Sequence, residues 1–169
     1  MSIVLGIDPG SRIAGFGVVE VTAQGERHID HGVIRLNETL PIWERLHEMH
    51  QAMEQLISSY RPNELAVEEI FLGKNPHSAF VLGHIRGVCL ERGVAHGMGV
   101  FQYAARKIKK SITGNGSAKK DQVQFMVGQL LGLENLSLPM DATDALAVAI
   151  THARHATQKT LLAEIGREL

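Results

Sequence analysis

Residues 2 to 8, SIVLGID, form a short run rich in apolar and β-branched side chains that ends on an acid and then breaks at Pro9-Gly10. Such a run reads as a strand buried on both faces, and a doubly covered strand requires a layer of structure above it and another below. The segments RIAGFGVVEVTA and RHIDHGVIRLN follow as second and third strands, joined by short connections around Ser11 and Gln24-Gly25. Connections this short admit an antiparallel meander. Asp8 at the end of the first strand raises a chemical question, because a desolvated carboxylate needs a cation, a metal or hydrogen-bond donors to compensate it.

Beyond the meander the period changes. Trp43, Leu46, Met49, Met53, Leu56, Ile57 and Tyr60 recur at helical spacing, which places Trp43 on a core-facing stripe. The turn Arg61-Pro62-Asn63 leads into a fourth strand, ELAVEEIF. Asn75-Pro76 has the form of an N-cap followed by proline at the first helical position, and Ala79, Val81, Leu82, Ile85, Val88 and Cys89 continue that helix. GVAHGMGVFQY reads as a fifth strand. Ser117 is placed to cap a helix carrying Val123, Met126, Val127, Leu130 and Leu131, with Gly132 as its stop. A last helix is expected from about Asp141 to about Ala156. The order is three strands, helix, strand, helix, strand, helix, helix, which predicts an α/β fold: a mixed sheet with helices on its faces. The chain's 169 residues suit one domain, set at 1–156, with a C-terminal tail at 157–169 expected to fray.

Cys89 is the single cysteine and lies in an apolar stretch, which points to a reducing, cytoplasmic setting. No basic leader is visible at the N-terminus and no apolar run approaches the ~20 residues of a membrane span, so no membrane role is expected. The formal net charge is −1, so any nucleic-acid argument must come from where charges sit.

Acids provide the main chemical pattern. Asp8 and Glu68 end the first and fourth strands, and ligands of open α/β sheets gather at such ends. Asp141 and Asp144 stand three apart in PMDATDALAVAITHA and share one helix face. The small side chains of Ala142, Ala145, Ala147 and Ala149 would let this helix lie close to the sheet. Taken alone, Asp-x-x-Asp is a capping residue plus a first-turn acid, and Asp before Pro-Gly is a turn residue. Taken together, four converging carboxylates repel one another unless hard divalent cations join them. The chain has no zinc-finger spacing of Cys and His. Carboxylate-held metal pairs are a means of cleaving phosphodiesters.

The segments GIDPGSR, AVEEIF, FQYAARKIKKSITGNGSAKKDQVQ and DATDALAVAITH resemble the RuvC family of Holliday junction resolvases, in the same order and over almost the whole chain. The resemblance implies a ribonuclease-H-like fold: a five-stranded mixed sheet, three strands antiparallel and two parallel, flanked by helices on both faces. It implies a metal-dependent endonuclease that resolves four-way DNA junctions in recombination and repair. Its catalytic acids fall on Asp8, Glu68, Asp141 and Asp144, binding Mg²⁺ or Mn²⁺, two ions per site. Glu69 adjoins Glu68, but strand alternation lets only one face the site, and the family pattern matches Glu68. Lys109 and Lys120 match lysines near the scissile phosphate. The family also implies a homodimer, with contact through the helix that starts at Pro76, and work beside the RuvA–RuvB branch-migration complex.

The segment from Arg106 to Lys120 holds six basic residues and no acid. Lys107, Lys110 and Lys119 are candidates for looser phosphate contacts; without the acids, the stretch would read as a solvated basic loop. Phe71 is either a core ring or an exposed one that stacks on an unpaired base. Lys74, Asn75 and Arg86 follow it as candidate lining of the same groove, and Arg12 is placed to touch a phosphate or to lie idle on the surface. The histidines at 28, 31, 47 and 50 read as surface, and His152 as structural, although two helical turns past Asp144. Three other functions are consistent with the pattern: a related nuclease acting on other branched nucleic acid or RNA, an actin-like ATPase suggested by GIDPG, and a catalytically silent junction-binding module.

Overall fold

The computed structural model of the protein describes residues 2–69, 76–133 and 138–165. The elements in chain order are β1 (Ser2–Asp8), β2 (Ile13–Thr22), β3 (Gly25–Arg35), α1 (Ile42–Tyr60), β4 (Glu64–Glu68), α2 (Pro76–Ala95), β5 (Gly99–Tyr103), α3 (Ala105–Thr113), α4 (Lys120–Leu131) and α5 (Met140–Ile165). They build one five-stranded sheet in the order β3-β2-β1-β4-β5. β1, β2 and β3 pair antiparallel, and β4 and β5 add in parallel with β1, so the expected mixed sheet is what forms.

Period-2 alternation sorts the strands between two cores. Leu5, Ile7, Val18, Leu65 and Val67 point to one face, where Met49, Met53 and Leu56 of α1 and Ile85 and Cys89 of α2 cover them. Val4, Val19 and Ala66 point to the other, against α3, α4 and α5. The center of β1 is therefore fully buried, as its sequence requires: Val4, Leu5 and Ile7 have no exposed surface.

α5 lies unusually close to the sheet because the strands beneath it carry glycine. A Cβ on Gly6 would stand 2.3 Å from the Ala145 carbonyl oxygen, one on Gly17 2.7 Å from Leu146 Cδ2, and one on Gly15 1.8 Å from the Asp141 carbonyl oxygen. On the helix side, Ala142, Ala145 and Ala149 are buried. Small residues on both partners bring helix backbone against strand backbone.

Several local expectations are corrected. A fifth helix, α3, occupies the basic segment, burying Ile108 and Ile112 one turn apart and ending on Gly114 in the left-handed region. α4 begins at Lys120 with Lys119 as its N-cap; Ser117 sits in the preceding turn, where its N–H donates to Asn115 Oδ1. β5 starts at Gly99, because residues up to Ala95 belong to α2 and Gly97 turns the chain with φ 71°. β4 ends at Glu68, before Glu69. α5 continues to Ile165, beyond the expected end near Ala156. Trp43 is 69% exposed rather than core, since it sits in the first turn of α1 and faces solvent. His28 and His31 are half-buried and contact each other, Nε2 to Nδ1, at 2.9 Å.

Gly6→Ala is expected to lower the stability of the fold by ~1–3 kcal/mol, because the added methyl must push α5 off the sheet. Urea denaturation checks this, and an unchanged midpoint would contradict the close contact.

Candidate active site

β1 and β4 end side by side. Ile7 pairs with Val67, so Asp8 and Glu68 leave the sheet together, one residue later. Alternation from Val4 and Gly6, and from Ala66, puts both carboxylates on the α5 face. Asp8 also pairs with Gly15 of β2, and the bare Gly15 Cα is where the first turn of α5 rests its Asp141 carbonyl. One glycine thus joins the strand that carries Asp8 to the helix turn that carries Asp141. Asp144 follows one turn later on α5.

Asp8, Glu68 and Asp144 line a single cleft of about 250 Å³ with Lys109, Lys120, Ala105, Ile108, Val123 and Ala147. α3 supplies Lys109 and the start of α4 supplies Lys120. Asp141 is not among these lining residues, but it stands near enough for its charge to act on Asp8 and Lys120.

The electrostatics are those of an anion cluster with too few counter-charges. Burial first, then the charges of Glu68 and Asp144, raise the Asp8 carboxyl to about 7; Lys120 opposes the rise and Asp141 adds to it. Glu68 is raised too, by burial and by Asp144, against the pull of Lys120 and Lys109. Lys120 Nζ donates to Asp144 Oδ2 at 2.9 Å, and this bond holds the ammonium above its ordinary value. Among the described residues no three His, Cys, Asp or Glu side chains stand close enough, as they lie, to grip one ion. The donor chemistry nevertheless fits a hard divalent cation: carboxylate oxygens without sulfur or imidazole, in a half-buried cleft that leaves negative charge uncompensated.

The remaining candidates are dispersed. Lys107 is exposed and sits 5.1 Å over the Tyr103 ring. Lys110 and Lys119 are exposed on the outer side of α3 and at the cap of α4. Arg12 is exposed and pairs with Glu38, Nε to Oε2, at 2.6 Å. Arg86 is half-buried on α2, and its Nε donates to the Glu68 carbonyl oxygen at 3.1 Å. Phe71, Lys74 and Asn75 lie outside the described residues. Glu69 is exposed past the strand end and does not line the cleft. His152 is buried about 12 Å along the helix axis from Asp144, with the Tyr103 hydroxyl 2.8 Å from its Nδ1 and Phe101 stacked on its ring. Sequence reasoning missed the part played by Gly15, and it missed Arg45, whose guanidinium donates to the Ser11 carbonyl in the turn after Asp8. A glycine inside an otherwise β-branched strand was the available signal for the first; no spacing marks the second.

Comparison with known proteins places the chain in a family. The family model for crossover junction endodeoxyribonuclease RuvC matches residues 4–152. The crossover junction endodeoxyribonuclease RuvC of Geobacter sulfurreducens is 43% identical over 162 residues, 96% of this chain and 98% of the relative. The solved structure of T. thermophilus RuvC in complex with Holliday junction substrate superposes with a TM-score of 0.87 at 34% identity, covering 95% of this chain and 98% of that one. The yeast mitochondrial Holliday junction resolvase Ydc2, at 11% identity and a TM-score of 0.71 over 98% of this chain and 85% of its own, shares the fold. The chain therefore belongs to the crossover junction endodeoxyribonuclease RuvC family.

Proposed function

We propose that the cleft at the ends of β1 and β4 is the nuclease center of a resolvase that nicks two opposed strands of a four-way DNA junction. The observation that carries this reading is the meeting of Asp8, Glu68 and Asp144 with Lys109 and Lys120 in one cleft, Asp141 beside it. In this reading Asp8, central between the other acids, would hold divalent cations together with Glu68, Asp141 and Asp144, two Mg²⁺ per site with Mn²⁺ as a substitute. Bound there, the metals supply a nucleophilic water and counter-charge for the leaving oxygen. The chain's own part is to place the acids, admit a phosphodiester to the cleft, and set Lys109 and Lys120 beside it. Lys120, which donates to Asp144 across the cleft, would offset charge that develops on the phosphate during attack.

Lys107, Lys110, Lys119 and Arg12 serve in this reading as outer phosphate contacts, Phe71 as a ring that stacks on an unpaired base, and Lys74, Asn75 and Arg86 as further DNA contacts. A junction with approximate two-fold symmetry calls for a C2 homodimer, one cleft per strand cut. The outer face of α2 suits that contact: Phe80 is 69% and Val94 66% exposed. Ala79, Phe80, Gly83 and Gly87 line an open groove there. Residues 1–156 act as one nuclease domain, in the cytoplasm, in concert with the RuvA–RuvB branch-migration complex. Among the described residues no helix is long and apolar enough to cross a membrane.

Asp8→Asn is expected to abolish cleavage of a synthetic four-way junction on a denaturing gel, while gel-shift affinity in EDTA stays within about two-fold, because the basic surface is intact. Normal cutting by this variant would remove the acids from the mechanism. Lys120→Ala is expected to slow cleavage and to reduce the slope of log affinity against log salt by about 1. The raised Asp8 carboxyl gives a further check. Because its folded value of about 7 lies above the ordinary 3.8, ionized Asp8 destabilizes the metal-free fold, fully above about 7 and progressively less toward 3.8. Asp8→Asn should therefore melt higher than the parent in EDTA at pH 8, and the gap should shrink as the pH falls through that window.

A further inference from the structure

Two arginines on the far side of the sheet from the cleft hold the backbone from which Asp8 and Glu68 project. We propose that Arg45 and Arg86 are positioning residues of the acid cluster, each gripping a carbonyl beside one strand end and so fixing the spacing of Asp8 and Glu68 on which divalent-cation affinity depends. This rests on the reading of those acids as metal ligands.

Arg86 comes from α2. Its Nε donates to the Glu68 carbonyl oxygen at 3.1 Å and its Nη2 donates to Gln102 Oε1 on β5, tying the end of β4 to the neighboring strand. The N–H of the same peptide unit, that of Glu69, donates to the Tyr103 carbonyl oxygen at 3.0 Å. The peptide that follows Glu68 is thus held at both ends, one bond from the Cα that carries the carboxylate. Arg45 comes from the first turns of α1 and donates through Nη2 to the Ser11 carbonyl. The next carbonyl, that of Arg12, accepts from the Leu36 N–H at 2.8 Å. The turn after Asp8 is thereby fastened to α1 and to the segment that follows β3.

Neither guanidinium pairs with a carboxylate among the described residues, although both are half-buried. Among the described residues, Arg45 Nε is buried with no hydrogen-bond partner. An orphaned donor on a cation costs stability, and such groups call for an explanation beyond packing. Positioning supplies one. A carboxylate site tolerates displacements of only about 0.5 Å before ligand geometry degrades, and groups that orient ligands contribute ~10–100-fold to metal affinity.

The test compares Arg45→Gln and Arg86→Gln with the parent and with Arg92→Gln. Arg92 pairs with Glu54 and Glu91 and links the same two helices, but does not line the cleft. Mn²⁺ binding is read from the free-ion electron paramagnetic resonance signal, on protein held to a four-way junction with cleavage-resistant linkages. Junction affinity is read in EDTA, and the half-saturating Mg²⁺ concentration from cleavage of an ordinary junction. The expected result is Mn²⁺ affinity ~10–100-fold weaker in both variants, a Mg²⁺ requirement raised in step, unchanged junction affinity in Arg45→Gln, and no shift for Arg92→Gln. Arg45→Lys and Arg86→Lys keep charge and stem but lose the planar fork; an intermediate loss is expected from them, and they carry the test if a glutamine variant does not fold. Parent-like Mn²⁺ affinity in the variants overturns the proposal, as does a fall in junction affinity alone, which would leave Arg86 a DNA contact only. If the parent binds Mn²⁺ no better than Asp8→Asn, the metal reading itself fails, a result distinct from parent-like arginine variants.

Discussion

The close approach of α5 to the sheet is the constraint on which the rest of the structure depends. It exists because Gly6, Gly15 and Gly17 present bare backbone to a helix that answers with Ala142, Ala145 and Ala149. Larger residues on either side would still permit a helix over a sheet, at the usual side-chain spacing, but Asp141 and Asp144 would then ride higher over the ends of β1 and β4. Packing and chemistry are the same fact here. The contact that buries α5 also sets the distance between acids drawn from residues 8, 68, 141 and 144.

That arrangement is costly by itself. Burial and like charge both act against ionized Asp8 and Glu68, and Lys120 and Lys109 relieve only part of it. The fold carries a cluster that a purely structural protein would have replaced with apolar residues. A charge cluster of this kind, held in place by a scaffold fixed elsewhere, is what the proposed cation-binding role calls for. The scaffold is suited to hold it: β1 is covered on both faces, and the two cores on either side are contiguous aliphatic packings.

The parts of this structure legible in the sequence are those that follow from short-range pattern. The meander showed in its short connections, β1 in its apolar run, and the convergence of Asp8 and Glu68 in their positions at strand ends. α3 was hidden because it is nine residues long and only Ile108 and Ile112 are buried in it, so its lysines and arginine dominated the reading. Trp43 was misassigned because periodicity counts an apolar residue as core even in a first turn that overhangs the sheet. The backbone contacts of Arg45 and Arg86 are opaque for a deeper reason. A side chain that bonds a carbonyl 34 or 18 residues away leaves no periodic trace, so neither spacing nor composition marks it.

The order in which the acids occur along the chain has its own consequence. Two of the four reside on α5, the final helix of the described structure, and nothing earlier in the chain duplicates them. In the proposed reading, a chain lacking α5 would hold only Asp8 and Glu68 of the four acids. On that same reading, the docking of α5 against the glycine-bearing strands is therefore what completes the acid set.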